Sequence, residues 1–287
     1  MNADGQPSLF DQPARESSRP VTIGRAHVEY RDAASILTRA SGFMSDYDFT
    51  LNPYSGCTFG CTYCYAAFFT RDLERQRTWG DWVVVKENAL ERLRRMRTDL
   101  SGARVYLGSV TDPYQPIERR LGLVRSLLPI LAERGVRLVV QTRSPDVARD
   151  IELFKRFEHI RINMTVTTDS EEVRRAFEPG CPTTNRRLEG IAQVAAASVP
   201  TAITLTPLLP LEDPSSFARL LRATGVVDFV VQPFHAERGR FVAGTGAKAL
   251  EITAAMGWTN DAYRSAVAVL RSTLPSLLEG RSGFAPA

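Results

Sequence analysis

Asn52-Pro53-Tyr54-Ser55-Gly56-Cys57-Thr58-Phe59-Gly60-Cys61-Thr62-Tyr63-Cys64-Tyr65 places three thiols on one short loop, spaced C-x3-C-x2-C. An iron-sulfur cluster used for electron transfer normally takes four cysteine ligands. A loop that offers three to a 4Fe–4S cluster therefore leaves one iron open to a small molecule. Gly56 and Gly60 suit a chain that must wrap closely around such a core. Two other readings use the same residues. With Cys181 as the fourth ligand the set makes a four-thiolate zinc site, although Cys181 stands alone between Gly180 and Pro182 and not in a second C-x2-C knuckle. Cys61-Thr62-Tyr63-Cys64 alone reads as a thioredoxin-like redox pair, which leaves Cys57 unexplained.

Outward from the cysteines lie Thr50-Leu51-Asn52-Pro53-Tyr54, Tyr63-Cys64-Tyr65-Ala66, Val84-Val85-Lys86-Glu87-Asn88 and Gly108-Ser109-Val110-Thr111-Asp112-Pro113-Tyr114-Gln115-Pro116. Together these resemble the spore photoproduct lyase family of the radical S-adenosylmethionine superfamily, and within it the DNA repair photolyase-like branch. The likeness runs from about Val28 to Phe234. It implies that Cys57, Cys61 and Cys64 hold a 4Fe–4S cluster and that S-adenosylmethionine chelates the fourth iron. It further implies that electron transfer generates a 5'-deoxyadenosyl radical, and that Tyr63, with Tyr65 beside it, belongs to the cofactor site, Tyr63 packing on the adenine. The electron then comes from a low-potential donor such as flavodoxin or ferredoxin, since biological clusters reach down to about −700 mV only in suitable environments. DNA is the substrate the resemblance suggests. RNA, a peptide or a small metabolite are alternatives, as is a non-catalytic metal-stabilised nucleic-acid-binding module.

Short apolar runs alternate with helical patterns, which predicts parallel βα units. Strands are expected over Asp48–Asn52, Arg104–Gly108, Val136–Gln141, Arg161–Thr167, Pro200–Thr206 and Val226–Gln232. Helices are expected over Ala66–Gln76, Glu87–Arg97, Val124–Arg134, Pro145–Phe157, Thr184–Ala197 and Pro214–Thr224. Ser144-Pro145 and Asp213-Pro214 supply a capping side chain followed by proline in the first turn. Six units in about 180 residues match the roughly 30 residues of a βαβ step and fall short of the about 250 of a closed eightfold barrel. The expected fold is α/β, a partial (β/α)6 TIM-like barrel with a C-terminal helical extension. Its divisions are a disordered or extended tail over residues 1–27, the barrel over 28–242, and helices Thr245–Met256 and Asn260–Leu274 within 243–287. Trp82–Val85 is either an extra edge strand or the approach to a helix.

The 287 residues are 44% hydrophobic and 24% charged, ordinary for a globular domain. Residues 1–20 are polar, with no basic start and apolar core of a signal peptide, and no run of 18 apolar residues marks a membrane span. Four cysteines with three crowded together argue against a disulfide framework and for a reducing compartment, the cytoplasm. The net charge of +4 is carried by arginine, because Lys86, Lys155 and Lys248 are the only lysines. Arginine forks suit phosphate, but acids interleave with them, as in Glu91-Arg92-Leu93-Arg94-Arg95, and solvated helix faces read the same way.

In such a barrel, polar residues at the carboxyl ends of strands face the chemistry. Ser109, Thr111 and Asp112 follow the second strand, where hydroxyls and a carboxylate can take the methionine ammonium of the cofactor; Asp112 can equally cap an Asp-Pro turn. Arg143, after the third strand, is placed to pair with the methionine carboxylate; a salt bridge to a surface acid is the alternative. Thr165 and Thr167 end the fourth strand as candidates for the ribose, in competition with Asn163. His235, after the sixth strand, is a candidate catalytic contact or proton-transfer group, and Arg238 and Arg240 beyond it could meet phosphate. The sequence departs from the family at one point: Ser109 stands where a hydrogen-donating thiol is expected. Cys181 is the one thiol left over, a candidate radical quencher or a small buried filler.

Overall fold

The structure is a computed structural model and describes residues 19–234, 246–280 and 284–286. Its strands, in chain order, are β1 (Thr22–Ile23), β2 (Ala26–Arg31), β3 (Leu37–Arg39), β4 (Phe49–Leu51), β5 (Tyr54–Ser55), β6 (Trp82–Lys86), β7 (Arg104–Leu107), β8 (Arg137–Thr142), β9 (Ile160–Thr165), β10 (Thr201–Leu205), β11 (Asp228–Val231) and β12 (Leu277–Glu279). The larger sheet runs β12-β11-β10-β9-β8-β7-β4-β3. Seven of its strands are parallel, and only β3 pairs antiparallel, against β4.

Strands β4 and β7 to β11 are the six expected from the apolar runs, and they lie side by side in chain order. Parallel strands covered on both faces read as continuous apolar runs, and every residue of β10 is buried. The consecutive order brings the carboxyl ends of all six to one edge. On the face of the sheet opposite the main core, Tyr106, Val139 and Val230 join Tyr47 and Phe284 in a small core of their own. There the Tyr47 hydroxyl donates to the Phe284 carbonyl at 2.8 Å. Asp213 caps the helix Pro214–Ala223 by accepting from backbone N–H groups, and Ser144 does the same for a 3-10 helix over Pro145–Asp150, which passes into the short α-helix Ile151–Phe154 in place of the single helix expected over Pro145–Phe157.

Three expectations need correction. The supposed tail up to residue 27 already contains β1 and the start of β2, which pair with each other; β2 then continues parallel to β6. Trp82–Lys86 is thus an inner strand of a second sheet, ordered β1-β2-β6-β5. The C-terminal stretch is not helical throughout: after helices Ala247–Ala255 and Asn260–Thr273, β12 adds a parallel strand to the main sheet beside β11. The helix expected over Ala66–Gln76 is a 3-10 turn, Tyr65–Phe69, followed by a short helix, Leu73–Arg77. The Asp72 carboxylate accepts from the N–H groups of Glu74 and Arg75 and starts a new helix there. No helix among the described residues is long and apolar enough to cross a membrane.

Candidate cofactor site

The cysteine loop leaves β5 and is fastened from two sides. From the β7 side, Thr111 donates its hydroxyl to the Gly56 carbonyl at 2.6 Å. The buried Gln115 side chain accepts from Thr58 N–H at 3.0 Å and donates to Thr111 Oγ1 at 3.0 Å. Gly56 has φ +76°, and a Cβ there would meet the Trp82 ring at 2.5 Å, so both its conformation and its space require glycine. From the other side, the loop Glu178-Pro179-Gly180-Cys181-Pro182 presses on it: Gly180 N–H donates to the Phe59 carbonyl at 3.0 Å, and a Cβ on Gly180 would lie 2.6 Å from the Thr58 carbonyl. Thr62 N–H is held by the Phe177 carbonyl at 2.8 Å.

All four cysteines are free thiols. Cys57, Cys61 and Cys181 are buried in one small core with Phe59, Tyr63 and Phe177, against which Cys64 and Trp79 pack. Burial pushes the Cys57 thiol well up and that of Cys64 to about 11. Cys61 is lowered, first by the hydrogen bond from Cys181, whose Sγ lies 3.5 Å from its own. Cys181 is thereby placed at the cysteine loop.

Arg143 and Tyr63 meet over this loop. The guanidinium carbon lies 5.8 Å from the Tyr63 ring centroid, and Nη2 donates to the Tyr63 hydroxyl at 3.2 Å. The hydroxyl in turn donates to Glu178, a fully buried carboxylate absent from the sequence reading. Glu178 also accepts from Thr167 Oγ1 at 3.0 Å and from Arg187 Nη2 at 2.5 Å, so Thr167 is engaged within the protein. Burial opposes the charge on Glu178, but Arg187 and Arg143 outweigh it and hold the carboxyl at about 2. The helical spacing of Thr184, Arg187, Leu188, Ile191 and Val194 puts Arg187 on the buried face of its helix, a signal that could have found this charge from sequence.

The remaining predicted residues fall into separate roles. Asp112 accepts from Thr142 Oγ1 at 2.7 Å, Tyr114 N–H at 2.9 Å and Arg143 N–H at 2.7 Å, tying the end of β7 to the end of β8 as a turn cap does. Ser109 accepts from Asn52 Nδ2 at 3.0 Å, and its carbonyl accepts from the Tyr65 hydroxyl, which brings these two candidates together at the rim. Thr165 sits deeper, 3.0 Å from Thr204 Oγ1 and 2.6 Å from Gln141 Nε2. It is apart from the cysteines in this network. His235, Arg238 and Arg240 lie outside the described residues.

The C-x3-C-x2-C loop itself supplies three thiols, and Cys181 brings a fourth from a separate loop, 3.5 Å from Cys61. Around them, Thr58 Oγ1, Trp79 Nε1 and Arg143 Nε are buried without hydrogen-bond partners. Such groups are costly unless a ligand satisfies them. Among the described residues no three ligating side chains converge on a single metal ion, and ligands of a cluster bind separate irons rather than one point. The donor set thus fits a cluster with a polar molecule beside it.

A family model described as the radical SAM superfamily matches residues 51–223. An uncharacterised protein of Methanocaldococcus jannaschii is 30% identical over 162 residues, 56% of this chain and 61% of that protein. One of Mycobacterium tuberculosis is 31% identical over 169 residues, 56% and 50% of the two chains. A radical SAM Nalpha-GlyT isomerase of Pseudomonas phage M6 is 25% identical over 159 residues, 55% and 32% of the two. The chain thus spans about half the length of the curated relatives it matches. In fold it is similar to spore photoproduct lyase complexed with dinucleoside spore photoproduct, with a TM-score of 0.61 at 14% identity, covering 88% of this chain and 81% of that one.

Proposed function

Because the chain belongs to the radical SAM superfamily, whose enzymes use a 4Fe–4S cluster and S-adenosylmethionine, we propose that it holds the cluster on Cys57, Cys61 and Cys64 and abstracts hydrogen from DNA. We read the consecutive parallel strands as a partial barrel whose carboxyl-end edge is the reaction mouth. When bound, the cluster and S-adenosylmethionine would supply a 5'-deoxyadenosyl radical, one electron being spent on cleaving S-adenosylmethionine to methionine and that radical. The protein supplies position: Arg143 meets the methionine carboxylate, the Tyr63 ring meets the adenine, and Tyr65 and Ser109 stand at the rim where substrate enters. A low-potential donor of the flavodoxin or ferredoxin type delivers the electron.

The observation that carries this reading is the cysteine loop itself, pinned by Thr111, Gln115 and Gly180 and surrounded by buried polar atoms without hydrogen bonds. The DNA assignment draws support from the fold shared with spore photoproduct lyase. Ser109 sets its limit, because a serine O–H bond is too strong to replace a thiol as hydrogen donor. The substrate on this reading is a DNA site other than spore photoproduct.

The test compares 5'-deoxyadenosine release by the reduced, reconstituted enzyme with DNA oligonucleotides, RNA, peptides and a synthetic spore photoproduct oligonucleotide. DNA should stimulate release and spore photoproduct should not revert cleanly to two thymines. Stimulation by RNA or peptide alone would overturn the DNA assignment, and clean reversal by the wild type would overturn the limit placed by Ser109.

A further inference from the structure

Resting on this reading of the site, we propose that the Tyr63 hydroxyl is a positioning group that aims Arg143 at the carboxylate of S-adenosylmethionine, a role separate from that of the tyrosine ring. The direction of the hydrogen bonds carries the argument. Glu178 is acceptor-only when ionised, and its Oε1 already takes the proton of the Tyr63 hydroxyl and that of Thr167. With its proton committed to Glu178, the hydroxyl oxygen can only accept on its other side, and there it receives Arg143 Nη2 at 3.2 Å.

Arg143 gets nothing comparable from Glu178 itself. Its Nε lies 3.5 Å from Glu178 Oε1, long for a hydrogen bond, and has no other partner although buried. The guanidinium is therefore held at one corner with part of its fork free, and a planar carboxylate is the acceptor that matches two parallel N–H groups. Arg187 takes Glu178 Oε2 at 2.5 Å, so a carboxylate on the ligand would give Arg143 an acceptor of its own. Arg187 and Thr167 hold Glu178 in place, so Glu178 can fix the hydroxyl without swinging towards the ligand.

Tyr63→Phe keeps the ring and the charge count and removes only the hydroxyl. The experiment measures binding of S-adenosylmethionine and of its decarboxylated analogue to anaerobically reconstituted protein, for wild type, Tyr63→Phe, Arg143→Ala and the double variant, with cluster content measured on each. Tyr63→Phe should weaken S-adenosylmethionine by about tenfold, a step of about 1.4 kcal/mol, and leave the decarboxylated analogue nearly unchanged. The double variant should bind S-adenosylmethionine no worse than Arg143→Ala, because the hydroxyl acts only through the arginine. Equal weakening of both ligands would mean a merely structural hydroxyl, and additive losses in the double variant would mean that it acts independently of Arg143; either overturns the inference. Failure of the wild type to bind S-adenosylmethionine at all would instead overturn the functional reading beneath it.

Discussion

Glu118 and Glu178 are both buried carboxylates set between a tyrosine and an arginine, and they differ in what is left over. Glu118 accepts from the Tyr54 hydroxyl at 2.5 Å, from the N–H groups of Val124 and Arg125 at 3.0 and 3.3 Å, and from Arg149. Arg149 and Arg125 also meet Asp150, so two arginines face two carboxylates and the network closes on itself. Around Glu178 two arginines face one carboxylate, and Arg143 Nε is buried without a hydrogen bond. Burial raises the carboxyl of Glu118, whereas the arginines hold Glu178 at about 2. A closed network secures the fold. The network of Glu178 stays open at Arg143 and lies beside the cysteine loop.

The comparison breaks most completely at the cysteines. Replacing Cys57, Cys61 or Cys64 by Ala should abolish the about four irons and four sulfides expected per chain of reconstituted protein, while Glu118→Gln should leave them in place; iron retained in any of the three cysteine variants would remove the cluster from the open side. Next in size is Glu118→Ala, which takes the acceptor from the buried Tyr54 hydroxyl and the Val124 and Arg125 N–H groups and leaves Arg149 with the carboxylate of Asp150 alone; it should lower the unfolding free energy by about 3–5 kcal/mol without altering ligand affinity in the folded fraction. Urea unfolding and S-adenosylmethionine binding on the same preparation check both halves, and a specific loss of affinity would show that the two networks are coupled.

Acid should separate the two carboxylates by sign. The folded-state pKa of Glu178 is depressed from 4.5 to about 2, so its contribution is present above about pH 4.5 and is lost as pH falls towards 2. That shift amounts to about 3 kcal/mol. Glu118 is raised above 4.5; protonation favours its folded form, and stability is lost as pH rises through the folded pKa. In urea unfolding from about pH 6 to about pH 3, Glu178→Gln should flatten the fall of the wild type and Glu118→Gln should steepen it. An unchanged slope in Glu178→Gln would mean that the two arginines do not hold that carboxylate.

Arg143→Ala should cost about 1.5–3 kcal/mol of S-adenosylmethionine affinity, the scale of hydrogen bonds to charged groups, and unchanged affinity in equilibrium dialysis would misplace the carboxylate. The smallest effect belongs to Cys181→Ala. Although its sulfur lies 3.5 Å from that of Cys61, iron content should stay at the wild-type value, and loss of iron would make it a fourth ligand.

The six parallel strands were legible because each is a short run of apolar residues flanked by turn and helix signals. In the smaller sheet only Trp82–Val85 was legible, as one of two alternatives; β2 reads Ala-His-Val-Glu-Tyr-Arg, an alternation half hidden by charge, and Thr22–Ile23 gains meaning only as its partner. Strand β12 is three residues long and acquires its state from pairing with β11, which no local pattern encodes. At the site, the cysteines, Tyr63 and Arg143 could be picked out by motif and by position at strand ends. Glu178 could not, since its loop was legible only through Cys181 and its meaning depends on Arg187 arriving from a helix nine residues further on. Thr111 and Gln115 belong to a recognisable stretch, but their work in clamping Gly56 and Thr58 appears only in three dimensions.

The most direct test is a single turnover assay: protein reconstituted anaerobically with iron and sulfide, reduced by one electron and mixed with S-adenosylmethionine, with 5'-deoxyadenosine and methionine quantified together. The account predicts both products in equal amounts from the wild type and neither from Cys57→Ala, Cys61→Ala or Cys64→Ala. Wild-type protein that carries a full cluster yet releases neither product under reduction would contradict it.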